Sequence, residues 1–217
     1  MQAQTRRRIP LFAKAVGGLV LLCGATFGGY AGYLQLTGNF HTVIEGQLYR
    51  SAQPSTAQLE RYIRANGIKT VINLRGNSGY AKWWEEEVAV TERLGVGHVD
   101  FGMSASKILT PAKADQLVAI MRDAPKPILI HCLSGADRTG LVSVLYSQQI
   151  GKLAEDVAER QLSLAFGHIG IPHLSSTYAM DQSWSALEKH YGLEEHAPAT
   201  AVHDAQAEAD PVNGGAG

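Results

Sequence analysis

The chain has 217 residues, with 19 lysines and arginines against 20 aspartates and glutamates. That length suffices for one domain with a sizeable core, and a net charge of −1 excludes the basic balance of a nucleic-acid-binding protein. The charge is uneven: residues 1–14 carry Arg6, Arg7, Arg8 and Lys14 and no acid, which leaves the remainder at −5.

Residues 15–36 follow, 22 residues without a charge, long enough to cross a bilayer core. The basic cluster ahead of them predicts a single-pass inner-membrane anchor with the rest of the chain on the periplasmic side. A cleaved signal, giving a secreted protein, is the alternative. Gly29-Tyr30-Ala31 offers small residues for cleavage, but the apolar run continues beyond it. Leu21-Leu22-Cys23 is a poor acylation site because Leu22 is large. Cys23 lies in this segment, so Cys132 is the one thiol of the remaining chain and no disulfide forms there.

Residues 37–43 read as a connector and 44–193 as the main folded domain. A strand is expected at Leu48–Arg50. Ser55 caps a helix over 56–65, closed by Asn66-Gly67. Thr70–Leu74 reads as a buried strand. Trp83–Leu94 reads as a helix whose Glu85, Glu86 and Glu87 favour its N-terminal dipole. His98–Phe101 is a further strand. Thr110 caps a helix that has Pro111 at its first position and runs to Arg122. A short strand at 128–130 and a helix over 141–150 come next, then helices over 153–164 and 175–191. The alternation predicts an α/β fold, a central and mostly parallel sheet flanked by helices on both faces. Residues 194–217, rich in Ala, Gly, Asp, Glu and Pro, read as a disordered tail.

The most informative stretch is His131-Cys132-Leu133-Ser134-Gly135-Ala136-Asp137-Arg138-Thr139-Gly140. It joins a buried strand to a helix, the geometry that binds a phosphate. The amides of Leu133, Ser134, Gly135, Ala136, Asp137 and Arg138 can curl around one point, and Gly135 permits the bend. The Arg138 guanidinium can clamp two phosphate oxygens. Cys132 falls at the bottom of the cradle, where helix starts and cations favour a thiolate aimed at phosphorus. His131 can orient the loop, and the Thr139 hydroxyl can donate to the sulfur as it leaves. Isolated buried cysteines are usually packing; four reactive side chains at fixed offsets are not.

This chain resembles the cysteine-dependent protein tyrosine and dual-specificity phosphatase superfamily, whose signature is the His-Cys-x5-Arg-Thr-Gly loop. Leu48-Tyr-Arg-Ser-Ala-Gln-Pro54 and Gly67-Ile-Lys-Thr-Val-Ile-Asn-Leu-Arg75 are similar to its bacterial, membrane-anchored dual-specificity branch. The resemblance spans residues 44–190. Rhodaneses and arsenate reductases share a Cys-x5-Arg loop but usually lack this His before it and Thr-Gly after it. The resemblance implies a tyrosine-phosphatase-like fold and phosphomonoester hydrolysis through a phosphocysteine, with no cofactor and no metal.

Two aspartates compete as the general acid. Asp100, 32 residues before Cys132, has the spacing of the mobile-loop acid of many relatives but falls within a strand. Asp137 lies inside the loop, as in the similar loops of myotubularin lipid phosphatases and certain secreted bacterial tyrosine/lipid phosphatases. Asp137 is the favoured acid and Asp100 the alternative; Asp137 as a mere brace of the loop is the bland reading. Arg50 and Arg75 line the pocket mouth or form surface salt bridges. His168 and His173 are too few and too widely spaced for a metal site. Lys107 and Lys113 are solvated.

The expected function is therefore a metal-independent phosphomonoesterase acting on a membrane lipid phosphate such as lipid A. No lysine accompanies Leu133, Ser134 and Ala136 in the loop, which disfavours highly anionic inositide headgroups. A protein tyrosine or dual-specificity phosphatase is the first alternative. A phosphate-binding pseudoenzyme serving as an envelope interaction module is the second. No nucleic acid is expected as a partner.

Overall fold

The computed structural model describes residues 11–193; the disordered tail expected over 194–217, and most of the basic N-terminus, lie outside the described residues. The elements in chain order are α1 (Leu11–Thr37), β1 (His41–Ile44), β2 (Leu48–Ser51), α2 (Thr56–Asn66), β3 (Thr70–Asn73), α3 (Lys82–Leu94), β4 (Gly97–Asp100), α4 (Pro111–Asp123), β5 (Ile128–His131), α5 (Asp137–Gln149), α6 (Glu155–Glu159) and α7 (Ala179–Tyr191). Short 3₁₀ turns occupy Leu164–Phe166 and Ser176–Tyr178.

The strands form one sheet in the order β1-β2-β5-β3-β4. Only β1 runs antiparallel, along one edge; β2, β5, β3 and β4 are mutually parallel. The central strand β5 is buried at all four positions, as a parallel strand covered on both faces must be. Alternate strand residues feed two cores. Leu48, Ile72, Ile128 and Ile130 pack with Leu117, Leu141, Met180 and Trp184 from α4, α5 and α7. Tyr49, Val71 and Leu129 pack with Leu59, Ile63 and Val90 from α2 and α3. The expected α/β fold, with helices on both faces of a mostly parallel sheet, is the fold observed.

Local signals set several boundaries. Ser55 makes a full capping box with Gln58, and Gly67 closes α2 in the left-handed conformation. Thr110 accepts from the Lys113 amide ahead of Pro111. Three expectations need correction. Residues 41–43, read as the end of the connector, belong to the edge strand β1, which closes at Ile44. The helix expected over 153–164 is only the short α6, because the Gln161 carbonyl accepts from Arg50 Nη1 at 2.6 Å instead of serving a helix. The helix expected from 175 begins with a 3₁₀ turn, and α7 proper starts at Ala179.

α1 is a 27-residue helix. Its stretch Val16–Thr37 is long and apolar enough to cross a membrane by length and composition. Its far end is fastened to the domain. Leu34 is buried, and the Tyr30 hydroxyl donates to the Ala165 carbonyl at 2.7 Å.

Candidate active site

Cys132 follows β5 directly, is 1% exposed, and opens the loop that ends in the first turn of α5. The loop is held from outside by its carbonyls. Leu133 O accepts from the Gln53 amide (3.2 Å), and Ser134 O from Asn39 Nδ2 (3.0 Å). Gly135 O and Ala136 O accept from Arg50 Nη2 (2.8 and 3.4 Å). A peptide plane points its N–H opposite to its C=O, so carbonyls anchored outward turn the amides toward the loop's concave side. Gly135 has φ +71°, and a Cβ there would lie 2.6 Å from the Ala52 nitrogen. Only glycine permits that approach.

Arg138, in the first turn of α5, donates through Nη1 to the carbonyls of Leu74 and Met103, each at 3.3 Å. Its Nε is buried with no protein partner, as is the Thr139 hydroxyl. Buried donors without partners are uncommon in folded proteins. Here they flank a loop whose amides converge, which is the donor set a phosphate would satisfy.

Arg50 is neither at the mouth nor in a surface salt bridge. It lies within β2, fully buried, with its guanidinium 4.0 Å from the Phe166 ring centroid. Burial pushes its pKa down to about 9, against the opposing charge of Cys132. Its role is to hold the back of the loop. Arg75 does sit near the mouth: it stacks on Trp83 at 3.6 Å and donates to Gln53 Oε1 at 2.9 Å. Burial, and repulsion from Arg138, lower its pKa.

Two buried polar chains support the loop, and sequence reasoning assigned neither. In the first, Glu87 turns inward from α3 instead of merely serving the helix dipole. Its carboxylate meets His131 Nε2 (3.0 Å), His98 Nε2 (2.9 Å) and Gln53 Nε2 (2.6 Å). Burial opposes its charge, but the hydrogen bonds from the two histidines and Gln53 prevail and hold its pKa at about 2. In the second, His168 is buried between two carboxylates. Its Nδ1 lies 2.8 Å from Asp137 Oδ1 and its Nε2 lies 3.0 Å from Asp181 Oδ2. Burial works against the charged ring, yet the Asp137 hydrogen bond and the Asp181 charge outweigh it and raise its pKa. His173 is exposed and takes no part.

The two candidate acids differ in setting. Asp100, the last residue of β4, accepts from Asn73 Nδ2 at 2.7 Å, while Trp84 Nε1 donates to both its oxygens at 3.1 and 2.9 Å. Asp137 sits on the loop beside Arg138, with its carboxylate joined to His168. Lys107 and Lys113 are exposed and line a cleft with Met103, Ile108 and Leu109.

Residues 26–162 match the sequence profile of the tyrosine phosphatase family. The chain belongs to that family. It is accordingly a cysteine-dependent phosphatase, as the loop indicated. Solved structures share its fold. Tk-PTP in its active form superposes with a TM-score of 0.52 at 18% identity, over 70% of this chain and 97% of that one. TpbA of P. aeruginosa gives 0.49 at 21% identity, over 70% and 91%. PTPMT1 gives 0.49 at 14% identity, over 71% and 99%. No curated protein sequence matches the chain.

Proposed function

We propose that this tyrosine phosphatase family member hydrolyses a phosphomonoester carried by a membrane lipid, lipid A or a chemically similar phospholipid on the periplasmic side. The observation that carries the reaction is the loop itself: Cys132 buried at its base, Arg138 at its end, and the carbonyls of residues 133–136 between them anchored from outside. The Cys132 thiolate attacks phosphorus as the ester P–O bond breaks, and Asp137 gives the leaving oxygen its proton. The amides of 133–138 and the Arg138 guanidinium stabilise the equatorial oxygens. The resulting phosphocysteine is attacked by a water that loses its proton to the same carboxylate. The products are inorganic phosphate and the free thiolate, which Thr139 assists by donating to sulfur. Asp137 is favoured over Asp100 because three hydrogen bonds already engage the Asp100 carboxylate. His168 supplies Asp137 with a partner that can hold its proton between turnovers. His131 positions the loop through Glu87.

The lipid substrate is supported by the packing of α1 against the site and by a loop without lysine, which suits a singly phosphorylated group. The family itself favours one second reading, a phosphotyrosine protein as substrate. The deciding experiment is phosphate release by the full chain in detergent-free vesicles, wild type beside Cys132→Ser, with no added metal. Lipid A, phosphatidylglycerophosphate and a phosphotyrosine peptide are offered in parallel. Cys132-dependent release from a lipid well above the peptide is expected, and Cys132→Ser should retain phosphate binding. Preference for the peptide replaces lipid by protein, and near-normal turnover by Cys132→Ser overturns the mechanism.

A further inference from the structure

Residues 161–180 contain no Asp, Glu, Lys or Arg. This twenty-residue stretch wraps the active-site loop and reaches α1. Phe166 O accepts from Asn39 Nδ2, His168 binds Asp137, and Gly167 packs near Leu34 and Ala136. Its apolar side chains nevertheless face solvent: Leu164 is 61% exposed, Ile171 46% and Leu174 83%, and Leu133 on the phosphate loop is 60% exposed. An uncharged rim with several large exposed apolar residues is unusual on a soluble surface.

The position of α1 says what covers that rim. Counting from uncharged Ala15 at 1.5 Å per residue, a hydrocarbon core of about 30 Å is filled at about Leu34. Tyr30 and Tyr33 then fall at the bilayer boundary, where tyrosines are enriched. The Tyr30 hydroxyl is bonded to Ala165 O, and Leu34 is buried beside Gly167. The segment around Ala165 therefore lies at the level of the headgroups and not above them.

We infer that the 164–174 segment, together with Leu133, is a membrane-docking face that seats the mouth of the phosphate loop on the lipid surface. The partner is the bilayer itself, and the loop receives a phosphate presented in the headgroup plane. This rests on α1 spanning the membrane and extends the lipid-phosphatase reading to the way its substrate arrives.

The test uses the full chain in phosphatidylethanolamine–phosphatidylglycerol vesicles. Leu174→Cys, in a background of Cys23→Ser and Cys132→Ser, carries an environment-sensitive fluorophore, and nitroxide-labelled lipids report depth. Asp123→Cys, exposed at the opposite end of the sheet, is the control. Quenching at position 174 but not at 123 is expected; equal absence of quenching at both overturns the inference, including the case where size analysis shows a protein covering the face. In the native cysteine background, Ile171→Ser with Leu174→Ser should lower hydrolysis of a vesicle-borne lipid phosphomonoester by about tenfold or more, with a soluble aryl phosphate hydrolysed at the wild-type rate. An equal fall on both substrates, or on neither, also overturns it. Should the wild type fail to hydrolyse the aryl phosphate, the enzymatic reading fails while the quenching result still judges the docking face.

Discussion

His168 shows how much of this site depends on single side chains outside the signature loop. Flanked by Asp137 and Asp181, the buried ring is charged more readily than an ordinary histidine. The ion-pair stabilisation is therefore fully present below about 6.5 and is lost as pH rises through the raised folded value. If Asp137 draws its proton from this pair, the alkaline limb of the kcat profile belongs to His168. His168→Gln should then lower kcat by about a hundredfold, leave KM nearly unchanged and move that limb; an unmoved limb in the pH–rate profile would reduce His168 to packing. Glu87 is the opposite case. Its carboxylate is held at about 2, so its contribution is present above the usual 4.5 and disappears as pH falls toward 2. Glu87→Gln should be less stable at pH 7 by roughly 3 kcal/mol and show a flatter acid limb in denaturant titrations. The signature loop was legible in the sequence because its parts are contiguous. The partners of these two residues were not. Asp137 and His168 are 31 positions apart, and Glu87 and His131 are 44 apart, and no periodicity links them. Arg50 was misplaced for a related reason, since a charged residue in a strand reads as an edge or mouth residue unless the carbonyls that receive it are known.

Elements with local punctuation were readable in advance. Ser55, Gly67, Thr110 and Pro111 act through hydrogen bonds and dihedral angles within one turn, and they bounded α2 and α4 to within a residue. Elements whose ends are fixed by distant contacts were not. α6 stops short because Gln161 is needed by Arg50, and because α5 presses on residues 161–162 at Gly140, where a Cβ would lie 2.8 Å from Leu162 Cδ1. β1 is four residues between two glycine turns and has no alternation long enough to announce a strand. Where α6 meets α7, Glu155, Glu159 and Glu188 come together, and Trp184 Nε1 donates to Glu159 at 2.8 Å. Burial and hydrogen bonding with Glu159 and Glu155 raise the Glu188 pKa to about 8. The folded state thus keeps a proton that the unfolded chain releases near 4.5, and stability falls as pH rises from there to 8. Glu188→Gln should raise the melting temperature at pH 8.5 and leave it unchanged at pH 4, as thermal scans at the two values would show.

At the scale of the molecule, the sheet brings the C-terminal ends of β2, β5 and β3 together under the phosphate loop, so Arg50, Cys132 and Arg75 converge although they span the chain from 50 to 132. That parallel arrangement was foreseeable from alternating strand and helix signals. The attachment of the N-terminal helix was not, because residues 37–43 look like a linker. Gly38 and Asn39 make it a joint. Ala52 donates to Gly38 O at 2.8 Å, and Asn39 spans Ser134 O, Phe166 O and His41. Asn39→Ala should destabilise the protein by about 1–3 kcal/mol and weaken phosphate binding, measurable by calorimetry with inorganic phosphate; unchanged affinity would separate the joint from the loop. The same joint limits how the enzyme meets its substrate. If the helix spans a membrane, as proposed above, a catalytic domain clamped to it has no tether with which to search the surrounding volume, and encounters would occur by lateral diffusion within a single leaflet. On the lipid reading, turnover then follows the mole fraction of phosphorylated lipid in the surface and is indifferent to its bulk concentration. Diluting the substrate with inert lipid slows the enzyme, whereas diluting the vesicles with buffer does not.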